Sequence, residues 1–450
     1  MTESSLIVVV LAAGKGTRMR SSLPKVLHPV AGRPMIHHVL AAAGALDPAQ
    51  IVVVVGPGGE AIAEAVAPHP VALQEEQLGT AHALQAARAQ VAPLLERGGE
   101  VLVLYGDGPL ITAQTLQRMR QARRDRGADF LWLGFRPPDP TGYGRLLLDD
   151  AGALTRIVEE KDACAAERAL DLCWAGLLLG DGPALFRLLA GIDNRNAKGE
   201  YYLTALVDLA GQEGLLSVVM ETDSDEVRGV NSRLELAEAE ALLQRRLRRQ
   251  ALEAGVTLVD PGSVHLSWDT ALAPDVVVEP HVVFGPGVTI AAGARIRAFS
   301  HLEGAVIEAG AEVGPFARLR PGSRIGPRAR IGNFVEIKAT TLGAGAKAGH
   351  LSYLGDAEVG AGANIGAGTI TCNYDGFAKH RTRIGAGAFI GSNASLVAPL
   401  CIGEGAVIGA GATLIEDVPD QALALARSQQ TNRPEGAKRL RARREKLERT

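Results

Sequence analysis

Residues 384–414 read IGAGAFIGSNASLVAPLCIGEGAVIGAGATL, and large aliphatic side chains recur in them at every sixth position. The same spacing governs much of residues 278–414, with one interval shortened and further breaks between residues 337 and 384. Neither an α-helix (period 3.6) nor a half-buried strand (period 2) has this period. A coil with three short flat faces per turn does, with one inward aliphatic side chain on each face. This half is therefore predicted to be a parallel β-helix of hexapeptide repeats, in which each turn covers the next. The recurring positions are Val278, Phe284, Ile290, Ile296, Leu302, Ile307, Val313, Leu319, Ile325, Ile331, Ile337, Ile384, Ile390, Leu396, Ile402, Ile408 and Leu414.

The composition describes an ordinary globular protein of two or three domains. The chain has 450 residues, of which 47% are hydrophobic and 22% charged. Its net charge of -3 gives no reason to expect nucleic-acid or acidic-membrane binding. Aromatic residues make up only 4%, which suits a β-helix interior filled by aliphatic side chains.

Export signals and a disulfide framework are not expected. No apolar run approaches the ~18 residues of a membrane span. The apolar run at residues 6–13 lacks the basic start and cleavage pattern of a signal peptide. The four cysteines (Cys164, Cys173, Cys372 and Cys401) have no metal-ligand spacing. We therefore expect reduced thiols in a cytoplasmic protein.

The first half alternates buried-strand runs with helical stretches, which predicts a doubly wound α/β domain. The run at residues 5–11 (SLIVVVL) leads directly into a glycine-rich segment, residues 12–19 (AAGKGTRM). Such a loop can present backbone N–H groups to phosphate, although a simple tight turn is equally compatible with it. It matches neither a Walker A motif nor GxGxxG. Arg18 and Lys25 place two cations close to it.

Asp107 follows the strand run at residues 101–104, at the sheet edge where α/β proteins bind ligands. A carboxylate there can be a turn or N-cap residue, or a ligand for Mg²⁺. Residues 232–253 contain neither Gly nor Pro and predict one long helix with a solvated basic end. We therefore expect domains at residues 1–231 and 254–450, joined by a linker helix at residues 232–253.

Several motifs resemble one enzyme family and occur in its order along nearly the whole chain. They are LAAGKGTRM (11–19), LPKVLHPVAGRPM (23–35), QEEQLGTAHA (74–83), YGD (105–107), TGYGR (141–145), VEEKD (158–162), GEYYLT (199–204) and GVN (229–231). This set resembles the bacterial bifunctional N-acetylglucosamine-1-phosphate uridylyltransferases/glucosamine-1-phosphate acetyltransferases. The resemblance implies a Rossmann-like nucleotidylyltransferase domain followed by a left-handed parallel β-helix with acetyltransferase activity.

For the first domain, the resemblance implies a site for UTP, a sugar 1-phosphate and Mg²⁺. Arg18 and Lys25 would bind the UTP phosphates and stabilise the leaving pyrophosphate. Asp107 and Asn231 would hold Mg²⁺. The residues implied in nucleotide and sugar binding are Leu11, Ala12, Ala13, Gly14, Lys25, Gln74, Gly79, Thr80, Gly144, Glu159 and Asn231; among them Gln74, Gly79 and Thr80 would read the uracil, and Gly144 and Glu159 would hold the amino sugar.

For the second domain, the resemblance implies an acetyltransferase site formed between subunits of a homotrimer. His350 would be the general base toward the amine of glucosamine 1-phosphate. Arg320 and Lys338 would bind the sugar phosphate. Tyr353 and Asn364, with Lys379, would shape the acceptor pocket. The residues implied in acetyl-CoA binding are Asn373, Tyr374, Ser392, Ala410 and Arg427.

The implied function is synthesis of UDP-N-acetylglucosamine for peptidoglycan and lipopolysaccharide. The family usually has an Asn where this chain has Trp174, and an indole cannot accept a hydrogen bond from the sugar. Two alternatives therefore stay open at this point: a nucleotidylyltransferase for another sugar or base, and a non-catalytic assembly protein of similar architecture. Retention of Lys25 and Asp107 favours an enzyme.

Overall fold

The computed structural model describes residues 5–96 and 98–448. Contacts divide the chain into two compact units, Met1–Leu247 and Arg248–Thr450. None of the described helices combines the length and the apolar character that crossing a membrane requires. The helices are α1 Met35–Gly44, α2 Glu60–Ala65, α3 Thr80–Ala86, α4 Arg88–Val91, α5 Ala113–Asp125, α6 Ala165–Arg168, α7 Gly182–Leu189, α8 Leu206–Gln212, α9 Arg233–Glu253 and α10 Gly436–Leu447, with short 3₁₀ turns at Thr17–Met19, Lys25–Leu27, Ala92–Leu94, Leu203–Ala205, Ser224–Glu226 and Pro261–Ser263.

The first unit is an α/β fold around one mixed sheet, as the sequence predicts. Its central path has the order β11-β7-β10-β6-β1-β4-β5, and β10 runs antiparallel to both of its neighbours. A hairpin, β8–β9, attaches beside β10. The strands are β1 Leu6–Leu11, β2 Pro29–Val30, β3 Arg33–Pro34, β4 Gln50–Val55, β5 Val71–Leu73, β6 Glu100–Tyr105, β7 Phe130–Phe135, β8 Arg145–Leu148, β9 Leu154–Val158, β10 Cys173–Asp181 and β11 Ser217–Glu221.

Strand β1 is apolar throughout because it lies in the centre of this sheet and is covered on both faces. Ile7 and Val9 pack into one hydrophobic cluster, while Val8 and Val10 pack into another. The chain proceeds from β1 to β4 and β5 on one side, and then returns to β6 on the other side of β1. The carboxyl ends of β1 and β6 therefore flank the switch point of the sheet, which is where such folds bind ligands.

The second unit is a parallel β-helix with three faces. Face 1 consists of β12 Thr257–Leu258, β14 Val277–Val278, β17 Arg295–Ile296, β20 Glu312–Val313, β23 Arg330–Asn333, β26 Lys347–His350, β29 Asn364–Ile365, β32 Phe389–Ile390, β35 Val407–Ile408 and β37 Leu423–Ala424. Face 2 consists of β15 Val283–Phe284, β18 His301–Leu302, β21 Arg318–Leu319, β24 Glu336–Lys338, β27 Tyr353–Gly355, β30 Ile370–Cys372, β33 Ser395–Val397 and β36 Thr413–Leu414. Face 3 consists of β13 Ala271–Leu272, β16 Thr289–Ile290, β19 Ala305–Ile307, β22 Ser323–Ile325, β25 Thr341–Leu342, β28 Ala357–Val359, β31 Thr382–Ile384 and β34 Leu400–Ile402.

The register of the faces explains the period. Val278 pairs with Ile296 on the next coil of face 1, and Ile290 pairs with Ile307 on face 3. A coil thus takes three hexapeptides, or 18 residues. The interval from Leu302 to Ile307 is one residue shorter, so that coil has 17 residues, and Ile307 still pairs with the inward Ile290. Every recurring aliphatic position of the sequence pattern is buried.

The coils also continue through residues 342–371, where the pattern was broken. Ala348 and Thr371 occupy inward positions there. Thr371 is tolerated inside because its hydroxyl donates to the Gly355 carbonyl, at 3.1 Å, and accepts from the Gly355 N–H, at 2.8 Å. The excursion at residues 373–381 leaves the coil at the turn between β30 and β31.

Candidate active sites

The glycine-rich segment and Asp107 lie side by side at the switch point of the first unit. Leu11 and Tyr105 are paired at the ends of β1 and β6, and the Gly106 N–H donates to the Leu11 carbonyl at 2.9 Å. The residues after both strands therefore emerge at the same edge. Arg18 is an exposed residue of the nearby 3₁₀ turn Thr17–Met19 and lines neither of the two cavities described next.

A cavity of about 260 Å³ follows the glycine-rich segment. The structure brings eight of the residues proposed for nucleotide binding into its wall: Leu11, Ala12, Ala13, Gly14, Lys25, Gln74, Gly79 and Thr80. Gln74 is only 3% exposed, and its amide nitrogen donates to the Gly79 carbonyl at 3.1 Å. Gly79 adopts φ +118°, and a Cβ there would meet the Tyr201 carbonyl oxygen at 2.5 Å. This close approach requires glycine and sets the entry to α3.

A second cavity, of about 290 Å³, shares Thr80, Tyr105, Asp107 and Glu200 with the first. It contains the proposed sugar residues Gly144 and Glu159, together with Trp174. Because the two cavities share part of their walls, a ligand in one adjoins a ligand in the other at Asp107.

Lys25, Asp107 and Asn231 converge at the junction of the two cavities. The Lys25 ammonium forms an ion pair with the Asp107 carboxylate and donates to the Asn231 side-chain oxygen at 3.0 Å. The Val230 N–H donates to the Asp107 carbonyl at 2.9 Å, which brings the segment of Asn231 beside Asp107. Two oxygens thus point at one cation.

Glu159 lies opposite Gly144 across the β8–β9 hairpin. Its carboxylate accepts a hydrogen bond from the Thr204 hydroxyl at 3.2 Å. Burial raises the pKa of the Glu159 carboxyl, and the bond from Thr204 offsets part of that rise. A carboxylate placed in this way can accept hydrogen bonds from sugar hydroxyls.

Arg145 is a buried guanidinium, 1% exposed, directly beyond Gly144. It donates to the carbonyls of Tyr143 and Leu170, the latter at 2.9 Å, and pairs with Glu160 at 2.8 Å. The side chain thereby joins the loop before β8 to the segment that carries Glu159.

We expect Arg145→Met to destabilise the first unit by about 3 kcal/mol, since it leaves buried carbonyls and a carboxylate without a partner. Urea unfolding of the full chain, followed by tryptophan fluorescence, measures this loss. Arg156→Met, at an exposed position of the same hairpin, is the matched control and should change the free energy of unfolding by less than about 1 kcal/mol. Equal effects of the two variants would contradict the role of Arg145.

Sequence reasoning missed several residues of these cavities. Gln77 lies in the first cavity and donates to the Ala13 carbonyl. Glu200 lines both cavities and Tyr202 lines the second, and the Tyr202 hydroxyl is buried without a protein partner among the described residues. These residues belong to the QEEQLGTAHA and GEYYLT motifs, and their membership of those motifs was the sequence signal that could have identified them.

In the second unit, His350 lies at the turn from face 1 to face 2, the first corner. Asn333 is its partner one coil earlier, and the His350 Nδ1 lies 2.5 Å from the Asn333 side-chain oxygen. Because that oxygen is an acceptor, the contact places a proton on Nδ1 and leaves Nε2 as the base. Asn364 lies on the same face, in register with Lys347.

The proposed acetyl-CoA residues Ser392 and Ala410 follow strands of face 1 at this first corner, on later coils than His350. The Gly411 N–H donates to the Ser392 carbonyl at 2.8 Å, and Arg427 donates to the Ala410 carbonyl at 2.9 Å. The structure thus aligns these three residues with His350 along one edge of the β-helix.

A second group lies at the turn from face 2 to face 3, the second corner. Lys338 pairs with Asp356 at 3.3 Å, and Asn373 donates to the same carboxylate oxygen at 2.5 Å. The Lys379 side chain lies within hydrogen-bonding reach of Lys338, and this hydrogen bond together with the positive charge of Lys338 lowers the pKa of Lys379. Arg320 is at the same corner and pairs with Glu336 at 3.0 Å. The cluster has an excess of positive charge suited to an anion.

Two further residues connect these groups. Tyr353 begins the face 2 strand that runs from the first corner to the second. Tyr374 is exposed on the loop after Asn373, and its hydroxyl donates to the Gly376 carbonyl at 2.7 Å. On one chain, His350 and the Lys338 cluster therefore lie at opposite ends of the face 2 strands. Asn333 and Asp356 were missed from the sequence, although each lies about one coil from a proposed site residue.

Known protein families match the two units of the chain separately. Residues 8–170 match the MobA-like NTP transferase domain, and residues 304–339 and 381–416 match the bacterial transferase hexapeptide repeats. The chain is 57% identical over 450 residues to the bifunctional protein GlmU of Azorhizobium caulinodans, covering 99% of both chains. It is 54% identical over 446 residues to the bifunctional protein GlmU of Bradyrhizobium sp., covering 98% of both.

The NTP-transferase match, the hexapeptide β-helix and the identity over nearly the full length all indicate the same family. The chain belongs to the family of the bifunctional protein GlmU, enzymes that join a nucleotidyltransferase to a hexapeptide acyltransferase.

Proposed function

We propose that the first unit transfers a uridylyl group from UTP to N-acetylglucosamine 1-phosphate and releases pyrophosphate. The observation that carries this proposal is the convergence of Lys25, Asp107 and Asn231 where the two cavities meet. A nucleotide beside the glycine-rich segment and a sugar beside Glu159 would bring their phosphates together at this point.

The transfer requires no covalent intermediate. A phosphate oxygen of the sugar phosphate bonds to the α-phosphorus of UTP, while the bond from that phosphorus to the bridging oxygen breaks and pyrophosphate leaves. Lys25, freed from its contact with Asp107, would move to the phosphates and stabilise the departing charge, and Arg18 would approach from its exposed turn. The two adjoining cavities would hold the reactants next to each other.

Asp107 and Asn231 fit a Mg²⁺ ion. Their oxygens already point at a single cationic nitrogen, and hard oxygen ligands are those that Mg²⁺ prefers. Mg²⁺ is usually held by one or two protein oxygens, and phosphate oxygens and water would complete its coordination shell here. When bound, the ion neutralises the triphosphate and polarises the α-phosphate.

Chelation should separate the two activities. We expect EDTA to abolish pyrophosphate release from UTP and N-acetylglucosamine 1-phosphate, and added Mg²⁺ to restore it. Acetyl transfer, followed as free thiol from acetyl-CoA, should continue in the chelator. Pyrophosphate release that persists in EDTA would contradict the metal site, and absence of release at saturating Mg²⁺ would contradict the proposed reaction.

We propose that the second unit acetylates glucosamine 1-phosphate. The amine nitrogen attacks the thioester carbonyl, the Nε2 of His350 takes a proton from that nitrogen, and the carbon–sulfur bond breaks to release coenzyme A. The Asn333 contact fixes the imidazole in the tautomer this step requires. Arg320, Lys338 and Lys379 would bind the phosphate, and Ser392, Ala410 and Arg427 would contact coenzyme A.

Assembly as a homotrimer would unite the two groups of site residues. On one chain they lie at different corners, and packing around a three-fold axis can place the first corner of one chain against the second corner of its neighbour. Phe299, Phe316 and Phe334 stack as exposed rings on successive coils, and Phe377 is 97% exposed at the loop tip. Exposed apolar surface of this kind favours a protein interface.

Light scattering tests the assembly. The expected mass is three times that of the 47.1 kDa chain. A monodisperse monomer that still transferred acetyl groups would contradict the shared site.

We place the trimer in the cytoplasm, where UTP and acetyl-CoA are available and where its free cysteines would stay reduced. We propose no nucleic-acid or membrane partner.

A further inference from the structure

Trp174 lines the second cavity of the first unit, together with Gly144. It is the second residue of β10 and pairs with Gly134, and the register of the strand shifts before Leu178. Residues 174–177 all line the cavity. The backbone is held there because the Trp174 N–H donates to the Gly144 carbonyl at 2.8 Å. This position is therefore fixed next to a proposed sugar-binding residue.

The side chain of Trp174 has no hydrogen-bonding capacity left for a ligand. Its one polar atom, Nε1, donates to the Leu177 carbonyl at 3.4 Å. The indole packs edge-on against Trp132 and Tyr105, with ring centroids 5.7 and 6.2 Å away. It is 8% exposed and is one of the residues that line the cavity. Ala175, Gly176 and Leu177 add no polar side chain to this wall.

Polar groups line other parts of the same cavity. Glu159, Glu200, Lys198 and Tyr202 offer charged or hydroxyl groups, and within the described part of the chain the Tyr202 hydroxyl has no hydrogen-bond partner. A sugar in this cavity would meet hydrogen-bonding groups along one part of its surface and aromatic carbon along another. Sugar rings carry C–H groups that pack well against an indole face.

We propose that Trp174 is a specificity-determining residue of the uridylyl-transfer site, forming an apolar wall for carbon-bound hydrogens of the sugar 1-phosphate. The hydroxyl nearest this wall then receives no side-chain hydrogen bond from β10. The enzyme tolerates loss of that one hydroxyl, while it continues to read the others. This inference rests on the proposed uridylyl transfer to N-acetylglucosamine 1-phosphate.

The first test uses the unaltered enzyme with UTP and Mg²⁺. Its substrates are N-acetylglucosamine 1-phosphate and the 3-, 4- and 6-deoxy analogues. A site that hydrogen-bonds a hydroxyl rejects the analogue lacking it by up to roughly 10,000-fold, whereas an apolar wall discriminates weakly. We expect one analogue to retain kcat/KM within about tenfold of the parent sugar. A loss of more than about 100-fold for all three analogues would overturn the inference.

The second test connects the tolerance to Trp174. We expect Trp174→Leu to raise the KM for N-acetylglucosamine 1-phosphate about fivefold, and to leave the KM for UTP unchanged, because only the aromatic contact with the sugar is lost. Trp132→Phe alters the same aromatic cluster from a fully buried position that does not line the cavity, and should leave both KM values unchanged. Equal KM changes in the two variants would overturn the inference.

The two proposals fail differently. If the enzyme does not use N-acetylglucosamine 1-phosphate at all, the proposed function is wrong and the wall has no such role. If it uses the parent sugar well but rejects every deoxy analogue, uridylyl transfer stands and only the role of Trp174 is wrong.

Discussion

His350→Ala should reduce acetyl transfer by about 100- to 10,000-fold, the contribution expected of a general base. Uridylyl transfer should be unchanged, because His350 belongs to the β-helix and lines neither cavity of the first unit. Acetyl transfer depends on His350 because the amine nitrogen must lose a proton as it attacks the thioester, and Nε2 of His350 is proposed to take that proton. Thiol release from acetyl-CoA and pyrophosphate release from UTP measure the two activities on one preparation.

His301→Ala is the matched control, since His301 is an exposed histidine on face 2 of the same β-helix. It should leave both activities intact. Asn333→Ala adds a finer test, because removing the acceptor at Nδ1 frees the imidazole to adopt the other tautomer and should lower the rate of acetyl transfer without abolishing it. Normal acetyl transfer by His350→Ala would remove His350 from the mechanism.

Asp107→Asn should reduce uridylyl transfer by roughly 100- to 1,000-fold, the loss typical when one electrostatic contact to the reacting charge is removed. The substitution keeps the shape of the side chain but removes its negative charge. That charge holds Lys25 in place and is proposed to hold Mg²⁺. Acetyl transfer should remain at the wild-type rate.

Asp125→Asn controls for the loss of a carboxylate, because Asp125 is exposed at the end of α5. Mn²⁺ binding followed by electron paramagnetic resonance gives a readout independent of turnover, and Asp107→Asn should weaken it. A variant that bound Mn²⁺ normally and retained full uridylyl transfer would refute the assignment of Asp107.

The β-helix was predictable because large apolar side chains recur in the sequence at its six-residue period. Ile384, Ile390 and Leu396 are inward on successive faces, and each had to be apolar and large enough to fill the coil. The prediction weakened at Ala348 and Thr371, which are inward but small or polar. Thr371 is satisfied by the backbone of the neighbouring coil, and a periodicity search has no means of detecting such a contact.

The candidate sites were predictable only in part, because motifs specify residues but not their partners. Gln74 and Gly79 belong to a quoted motif, and the structure places them in one cavity. The pairing of Lys25 with both Asp107 and Asn231 joins residues that are far apart in sequence. Asn333, in contrast, precedes His350 by 17 residues and pairs with it on the next coil. Once the coil length is known, such a partner can be read from the sequence.

We propose that one chain carries two separate sites that act in succession. Mixing His350→Ala with Asp107→Asn and supplying glucosamine 1-phosphate, acetyl-CoA, UTP and Mg²⁺ tests this arrangement. Phosphorus NMR should show UDP-N-acetylglucosamine forming in the mixture at least about tenfold faster than with either variant alone. A single variant that forms product as fast as the mixture, or a mixture that is no faster although each variant retains its own partial activity, would contradict two separate sites.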